Sequence, residues 1–527
     1  MTSGPLGARL LDDLVGSIKG GFGALLKKLL QRSLAVPATL ALLAGGAPAL
    51  PVPTLIAFPR AVEAPDTTTD ATAGPYACTT PAPVHLYKYF HCYAPSDIFG
   101  AYGVDRLHAL GSSGMGAGQT IVLVDSYGSP TAATDIKAFH DAFFAGLPDP
   151  KFDEVYPQGT LTYDNTAAGN GLAGPSAAAG WSFEATLDIE WAYAMAPLAH
   201  IVLLATNPAE TLGVQGLPNM FKDMRSAIDT YPAGTVFSQS FGTAEQNFGG
   251  AMAQQQASFD QVYKYGIETK HDTFVASSGD SGSGGSDKIH RESGTFPYQV
   301  VGYPGSSPYN VSVGGTQLMY NWKWDPTTSY AASHAGFFNS DPALGVAAEP
   351  VWKESFLGGN DTSAGGKSAV YALPSWQVHQ ASVIGANARG VPDLSWSAAV
   401  NGGVLVYITA FPNAIRPGWH ITGGTSAGSP QIAGLLADVN SLRASSGKNP
   451  IGDPHAAIYA LGNGSNASTY YRDVTPQTFG TVHFPLVDNQ WDGTPTVAGQ
   501  PVLSGWDMTT GFGSPLAFEW ATALADS

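Results

Sequence analysis

Ser426 stands in the stretch GGTSAGSP, residues 423–430, directly ahead of an apolar run. Glycines before the serine and a helix after it would present the hydroxyl at a helix start, with Pro430 near the first turn, where a missing N–H costs little. The serine's own backbone N–H could then face an incoming carbonyl oxygen. A serine hydroxyl is too weakly acidic to attack a carbonyl unaided, so a nucleophilic Ser426 requires a base. Histidine is the usual one, and Asp125 in VLVDSYG could pass for the aspartate that accompanies it after a first strand. None of the twelve histidines, however, lies in an HGT-like segment, and His200 and His271 read as structural or surface residues.

Carboxylates fill the gap. In FEATLDIEWAYAMAP, Glu184 and Asp188 are four residues apart, which on a helix places them about 40° apart around the axis, close enough to touch. Two such carboxylates resist ionising together, and the shared proton makes the pair a base matched to acid. Glu184 is the candidate acceptor of the serine proton and Asp188 its partner, with Glu190 on another face toward solvent or a structural contact. A solvated acidic face is the bland alternative, but Phe183, Leu187, Ile189 and Trp191 make this helix otherwise apolar. The third acid, Asp280 in TFVASSGDSGSGG, falls on a tight loop at a strand's C-terminal edge, where α/β proteins build their sites. Protonated, it could donate to an oxyanion beside the Ser426 N–H; otherwise it is a turn aspartate bonding local N–H groups. A base that must be ionised and a donor that must be protonated, each with an ordinary pKa of about 4, overlap only in acid, which sets an expected optimum of about pH 3–5.

The elements that must position these residues alternate. Short apolar strands recur as QTIVLVDSYG, HIVLLAT, TVFSQSFG, TFVASSGD and GVLVYIT, with helical stretches AATDIKAFHDAFF, FEATLDIEWAYAMA and PQIAGLLADVNSLR between them. The pattern predicts an α/β fold, a largely parallel sheet with helices on both faces. Only 12% of the 527 residues are charged and the net charge is −17, which argues against nucleic-acid or anionic-membrane partners. Lys27, Lys28 and Arg32 precede the run SLAVPATLALLAGGAPA, which ends in the small-x-small pattern Ala47-Pro48-Ala49 of a secretory signal. Secretion is therefore expected. Continuation of the apolar run to Phe58 offers a membrane anchor as the alternative, interrupted by Pro37, Pro48, Pro51 and Pro53. Export makes a short disulfide loop between Cys78 and Cys92 plausible, two buried thiols being the other reading.

The order E-x-x-x-D at Glu184 and Asp188, SGDSG at Asp280 and GGTSAGSP at Ser426 resembles the sedolisin family of serine-carboxyl peptidases, over roughly Tyr93 to Ser527. AYGVDRL, GAGQTIVLVDSYGSP, LDIEWAYAMAP, YPGSSPYNVSVGGT, RGVPDLS and SGWDMTTGFGSP agree with it. The resemblance implies a subtilisin-like fold and endopeptidase or tripeptidyl-peptidase action on protein or peptide substrates at acidic pH. It also implies Ser426 as nucleophile, Glu184 as general base, Asp188 as its partner and Asp280 in the oxyanion hole. It further implies one structural Ca2+ held by the carboxylates of Asp473 and Asp507 and the carbonyls of Val474, Leu503 and Gly505, hard oxygen donors that suit calcium. The segment between these ligands is long for the family. The expected organisation is a leader over residues 1–49, a linker over 50–91 too short for the folded inhibitory prodomain of family precursors, and a peptidase domain over 92–527. A monomer is expected. From a different class, an inactive peptidase-like scaffold for binding or the cell surface would be favoured by loss of an active-site residue, but all four are present.

Overall fold

The computed structural model describes residues 56–62, 92–159, 175–206, 214, 216–287, 289, 294–324, 338–340, 345–354, 361–411, 415, 417–478 and 485–527. The expected leader, most of the expected linker and Cys78 lie outside them; Cys92, at the edge, is disulfide-bonded. No helix among the described residues is long and apolar enough to cross a membrane.

Seven strands form one sheet: β1 (Thr120–Ser126), β2 (Lys151–Val155), β3 (His200–Thr206), β4 (Val236–Gln239), β5 (Thr273–Ser277), β6 (Val311–Thr316) and β7 (Leu394–Ser397). Their order is β7-β6-β5-β4-β1-β3-β2, with every pairing parallel. Every residue of β1 is buried, so both faces of the sheet are covered, as its unbroken apolar run requires. The helices expected from spacing are present as α1 (Ala132–Phe143), α2 (Pro175–Met195), α3 (Leu217–Thr230), α4 (Met252–Lys270) and α5 (Thr425–Ser445). From β1 the chain runs to the edge at β2, returns to β3 beside β1, and then crosses to β4 on the other side and builds outward to β7. That reversal leaves a crevice at the strands' C-terminal ends, the usual place for a site in such sheets.

Three readings need correction. The strand GVLVYIT is not in the parallel sheet: Gly403–Ile408 pairs antiparallel with Gly418–Gly423 in a separate four-stranded sheet. An apolar run reports burial but not pairing partner, so periodicity alone could not separate the two sheets. That second sheet also takes Ile56–Val62, from within the segment expected to be a linker, antiparallel to Gly418–Gly423. Pro430 is the sixth residue of α5, in its second turn, where it removes the N–H that would have bonded the Ser426 carbonyl.

The segment RGVPDLS explains how β7 is held. Asp393 is fully buried and accepts from the Ser312 N–H at 2.8 Å, Arg389 at 2.6 Å and the Tyr459 hydroxyl at 2.7 Å, with His455 3.4 Å away. Burial pushes the Asp393 carboxyl up, but Arg389 and His455 outweigh it and hold the group well below the usual carboxylate range. Burial likewise pulls His455 down, while Asp453 and Asp393 more than compensate and push it up to about 9. This ionic cluster fastens the start of β7, and just past the strand's end the Ala398 carbonyl accepts the Gly424 N–H at 2.6 Å, next to Ser426.

His455 is thus more basic folded than unfolded. Its contribution is complete below about pH 6.5, the unfolded value, and fades as pH rises through about 9. His455→Gln should cost about 3 kcal/mol more at pH 5 than at pH 9.5. Urea unfolding of both proteins at the two pH values measures this, and an equal cost at both would mean the imidazole is neutral in the fold.

Candidate active site

The helix that carries the acidic pair is apolar on every side. From Trp181 to Met195 each residue of α2 is buried, and Glu184, Asp188 and Glu190 are all 0% exposed. A solvated acidic face is therefore ruled out. Glu190 has the structural role: its carboxylate accepts the Tyr407 N–H at 2.9 Å. Glu184 and Asp188 instead face the end of β1, where Asp125 is also fully buried. Burial and the charge of Asp125 push Glu184 well above the usual carboxylate range; the Ser426 hydroxyl, lying against it, pulls it back in part. That contact is not a tight hydrogen bond, for neither Glu184 oxygen reaches hydrogen-bond geometry with a described group. Asp188 is raised by burial, by Asp125 and by Glu184, and Ser240, just past β4, donates to its Oδ1 at 2.9 Å.

Sequence reading considered Asp125 only as the partner of a histidine. Among the described residues, no histidine is one of the groups that shift Asp125, Glu184, Asp188 or Asp280. Asp125 is the third member of a carboxyl row, pushed up to about 7 by burial. The signal that could have found it was an acid closing an otherwise apolar, wholly buried strand.

Asp280 approaches the serine from the other side. Its Oδ1 accepts the Thr425 N–H at 2.8 Å and the Thr425 hydroxyl at 2.7 Å, which fixes it to the residue before Ser426. Its Oδ2 is enclosed without a partner among the described residues. Burial pushes the carboxyl up to about 7, so in acid it carries a proton, and Oδ2 is the oxygen left to carry it. Gly424 holds φ at 101°, a value other residues avoid, and this turn starts α5 at Thr425 with Ser426 second in the helix. The Ser426 N–H thus belongs to the first helical turn, whose N–H groups point outward along the axis. A further acid on Asp280's side, missed from sequence, is Asp361, pushed up to about 8 by burial and by the charges of Glu354 and Asp280.

The residues expected to bind calcium also meet. Asp473 accepts the Gly505 N–H at 2.9 Å and Asp507 accepts the Leu503 N–H at 2.8 Å, so both carboxylates bracket the turn Leu503–Asp507, with Val474 fully buried beside Asp473. No cluster of three or more acidic, histidine or cysteine side chains among the described residues could hold a metal alone. A cation at this turn would rely on backbone carbonyls as well, and that all-oxygen donor set fits calcium.

Raised carboxyl pKa values make folding pH-dependent. Asp125 is neutral below about pH 4 in either state, whereas above its folded value of about 7 it must either ionise in place or stay protonated at a cost. Asp125→Asn should be near-neutral for stability at pH 4 and stabilising by about 2–4 kcal/mol at pH 8. Denaturant unfolding at both values checks it, and an equal effect at the two would remove the buried acid from the account.

No family model matches the chain. It is similar to kumamolisin of Bacillus sp. (strain MN-32), 27% identical over 456 residues that cover 82% of this chain and 64% of kumamolisin. Sedolisin of Pseudomonas sp. (strain 101) is 30% identical over 245 residues, 46% of this chain and 33% of that protein. Tripeptidyl-peptidase 1 of Homo sapiens is 29% identical over 243 residues, 46% of this chain and 35% of that protein. The chain thus spans less than two thirds of the length of these relatives. Among solved structures, Pseudomonas sedolisin, a serine-carboxyl proteinase complexed with pseudo-iodotyrostatin, superposes with a TM-score of 0.58 at 23% identity, covering 83% of this chain and 99% of that one, which establishes the subtilisin-like fold. The chain is thus similar to kumamolisin, sedolisin and the tripeptidyl-peptidases in sequence, and to sedolisin in fold.

Proposed function

We propose that this protein is a serine-carboxyl peptidase that hydrolyses peptide bonds in acid through an acyl-enzyme. The observation that carries the reading is the position of Ser426: its hydroxyl lies against Glu184 in a buried carboxyl row and lowers that group's pKa, and its neighbour Thr425 is tied to Asp280. Ser426 Oγ attacks the scissile carbonyl carbon while its proton passes to Glu184. The oxyanion that forms accepts from the Ser426 N–H and from the protonated Asp280. Collapse breaks the C–N bond, and Glu184 returns the proton to the leaving amine. Water then attacks the ester with Glu184 again as base, and Ser426 recovers its proton. Asp188 and Asp125 keep the remaining protons of the row, so that a single negative charge is shared by three carboxyl groups.

The pH dependence follows from these states. Activity requires the row to have lost its first proton and Asp280 to have kept its own, so it should rise in acid and fall as pH passes through about 7, where Asp280 ionises. Protein or peptide substrates, a monomeric enzyme with neither nucleic-acid nor membrane partners, and secretion through the N-terminal signal pattern complete the proposal, supported by composition and by the homologues. Calcium, held by Asp473, Asp507 and the carbonyls of Val474, Leu503 and Gly505, would tie the turn 503–507 to the strand end at Asp473 and act on stability.

Ser426→Ala should abolish cleavage of a denatured protein at pH 4 without changing the fold, and Glu184→Gln should lower kcat by about a hundredfold or more. Full activity in either variant, or a wild-type optimum at neutral pH, would sink the mechanism. For the metal, calcium at about a hundred times its Kd should stabilise the protein by about 2.7 kcal/mol. Asp473→Asn should cancel that gain, and thermal unfolding indifferent to both calcium and chelator would dismiss the site.

A further inference from the structure

The glycines that follow Asp280 are crowded. A Cβ on Gly282 would lie 2.4 Å from the Asn489 carbonyl oxygen, and one on Gly284 would lie 2.5 Å from Cγ of Trp491. The turn after Asp280 therefore packs directly on the stretch Pro485–Pro501, part of the segment that is long for the family. Hydrogen bonds join them: the Ser283 N–H donates to the Asn489 carbonyl at 2.8 Å, and the Ser283 hydroxyl donates to the Val497 carbonyl at 3.0 Å. Asn489 is itself fully buried. On the opposite side, the Thr362 N–H donates to the Asp280 carbonyl at 3.1 Å, and the Gly282 N–H to the Thr362 carbonyl at 2.9 Å. Asp280 is thus gripped between two segments. Lys353 links them: its backbone bridges Thr362, and its ammonium, with the side chain 9% exposed, lies 2.9 Å from Asp488 and 3.8 Å from Asp492.

We infer that the loop Pro485–Pro501 is a buttress that holds Asp280 in register with Ser426, and that Trp491 and the Lys353–Asp488 ion pair are positioning residues for the reaction. The inference rests on the peptidase reading for its kinetic consequence only. An oxyanion donor acts through its placement at the transition state, so a displaced Asp280 lowers turnover while substrate binding is spared. Trp491 packs on the turn at Gly284 and Lys353 pairs with Asp488, so a kcat effect from either is diagnostic of position.

The test uses the full chain with Trp491→Ala, Trp491→Phe, Lys353→Met and Asp488→Asn, each checked for folding. Two readouts are taken: kcat and KM on an internally quenched peptide at pH 4, and hydrogen exchange of the amides from Asp280 to Gly285 in the substrate-free protein. Trp491→Ala and Lys353→Met should lower kcat about tenfold or more with KM changed less than about twofold. Exchange of the 280–285 amides should rise by about tenfold, with the amides of β1 unchanged. Trp491→Phe should restore most of both. Should Trp491→Ala fail to fold, Lys353→Met and Asp488→Asn decide the matter in the same way. Unaltered exchange at 280–285, or a loss that falls on KM rather than kcat, overturns the buttress. A wild type that cleaves nothing at any pH overturns the peptidase reading instead, and the exchange measurement still decides whether the loop holds Asp280.

Discussion

Removing carboxyl groups from water is the constraint around which this molecule is arranged. A buried carboxylate without compensation keeps its proton, and Asp125, Glu184, Asp188 and Asp280 are all raised for that reason first. A single ordinary carboxylate in water would be a poor base for a serine. Within a low-dielectric row, a proton leaves only under strain from its neighbours, and in the proposed mechanism the charge that remains takes the proton of Ser426. The same desolvation keeps Asp280 neutral, on the opposite side of the serine, where a donor is wanted. On the proposed reading, one physical effect makes both the acceptor and the donor, and the difference between them lies in what each carboxyl touches.

Contrast with Asp393 shows how sharply partners decide the outcome. It is as deeply buried as the catalytic candidates, yet Arg389 and His455 hold it ionised. Burial with a cation yields a fixed anchor; burial among other acids yields a group whose proton can move. The fold uses the first to fasten β7, whose continuation at Ala398 holds Gly424, and the second at the serine two residues beyond. An anchor that stays charged in acid is consistent with a site that is neutralised there.

Much of the site was legible because helical spacing and glycine-rich turns are local properties. Glu184 and Asp188 four residues apart, Asp280 at a strand end and Ser426 at a helix start each carry their geometry in a few consecutive residues. The acidic pair on an apolar helix announced its burial in the same way. Asp125 was read for the wrong partner, since its role depends on which helix packs over β1. Asp361 carried no local signal at all, because it reaches Asp280 from a segment eighty residues later in the chain.

By itself, then, the sequence determined the alternation of buried strands and helices, the local geometry of each acidic motif and the glycine turn ahead of Ser426, because dihedral preference and side-chain period act over a few residues. Tertiary structure alone decided that Gly403–Ile408 leaves the parallel sheet, that Asp125 joins Glu184 and Asp188, and that the loop from Pro485 to Pro501 packs on the turn after Asp280. Each of these depends on the pairing of distant segments, and pairing is set by the packing of the whole core and by the cost of leaving any buried polar group without compensation.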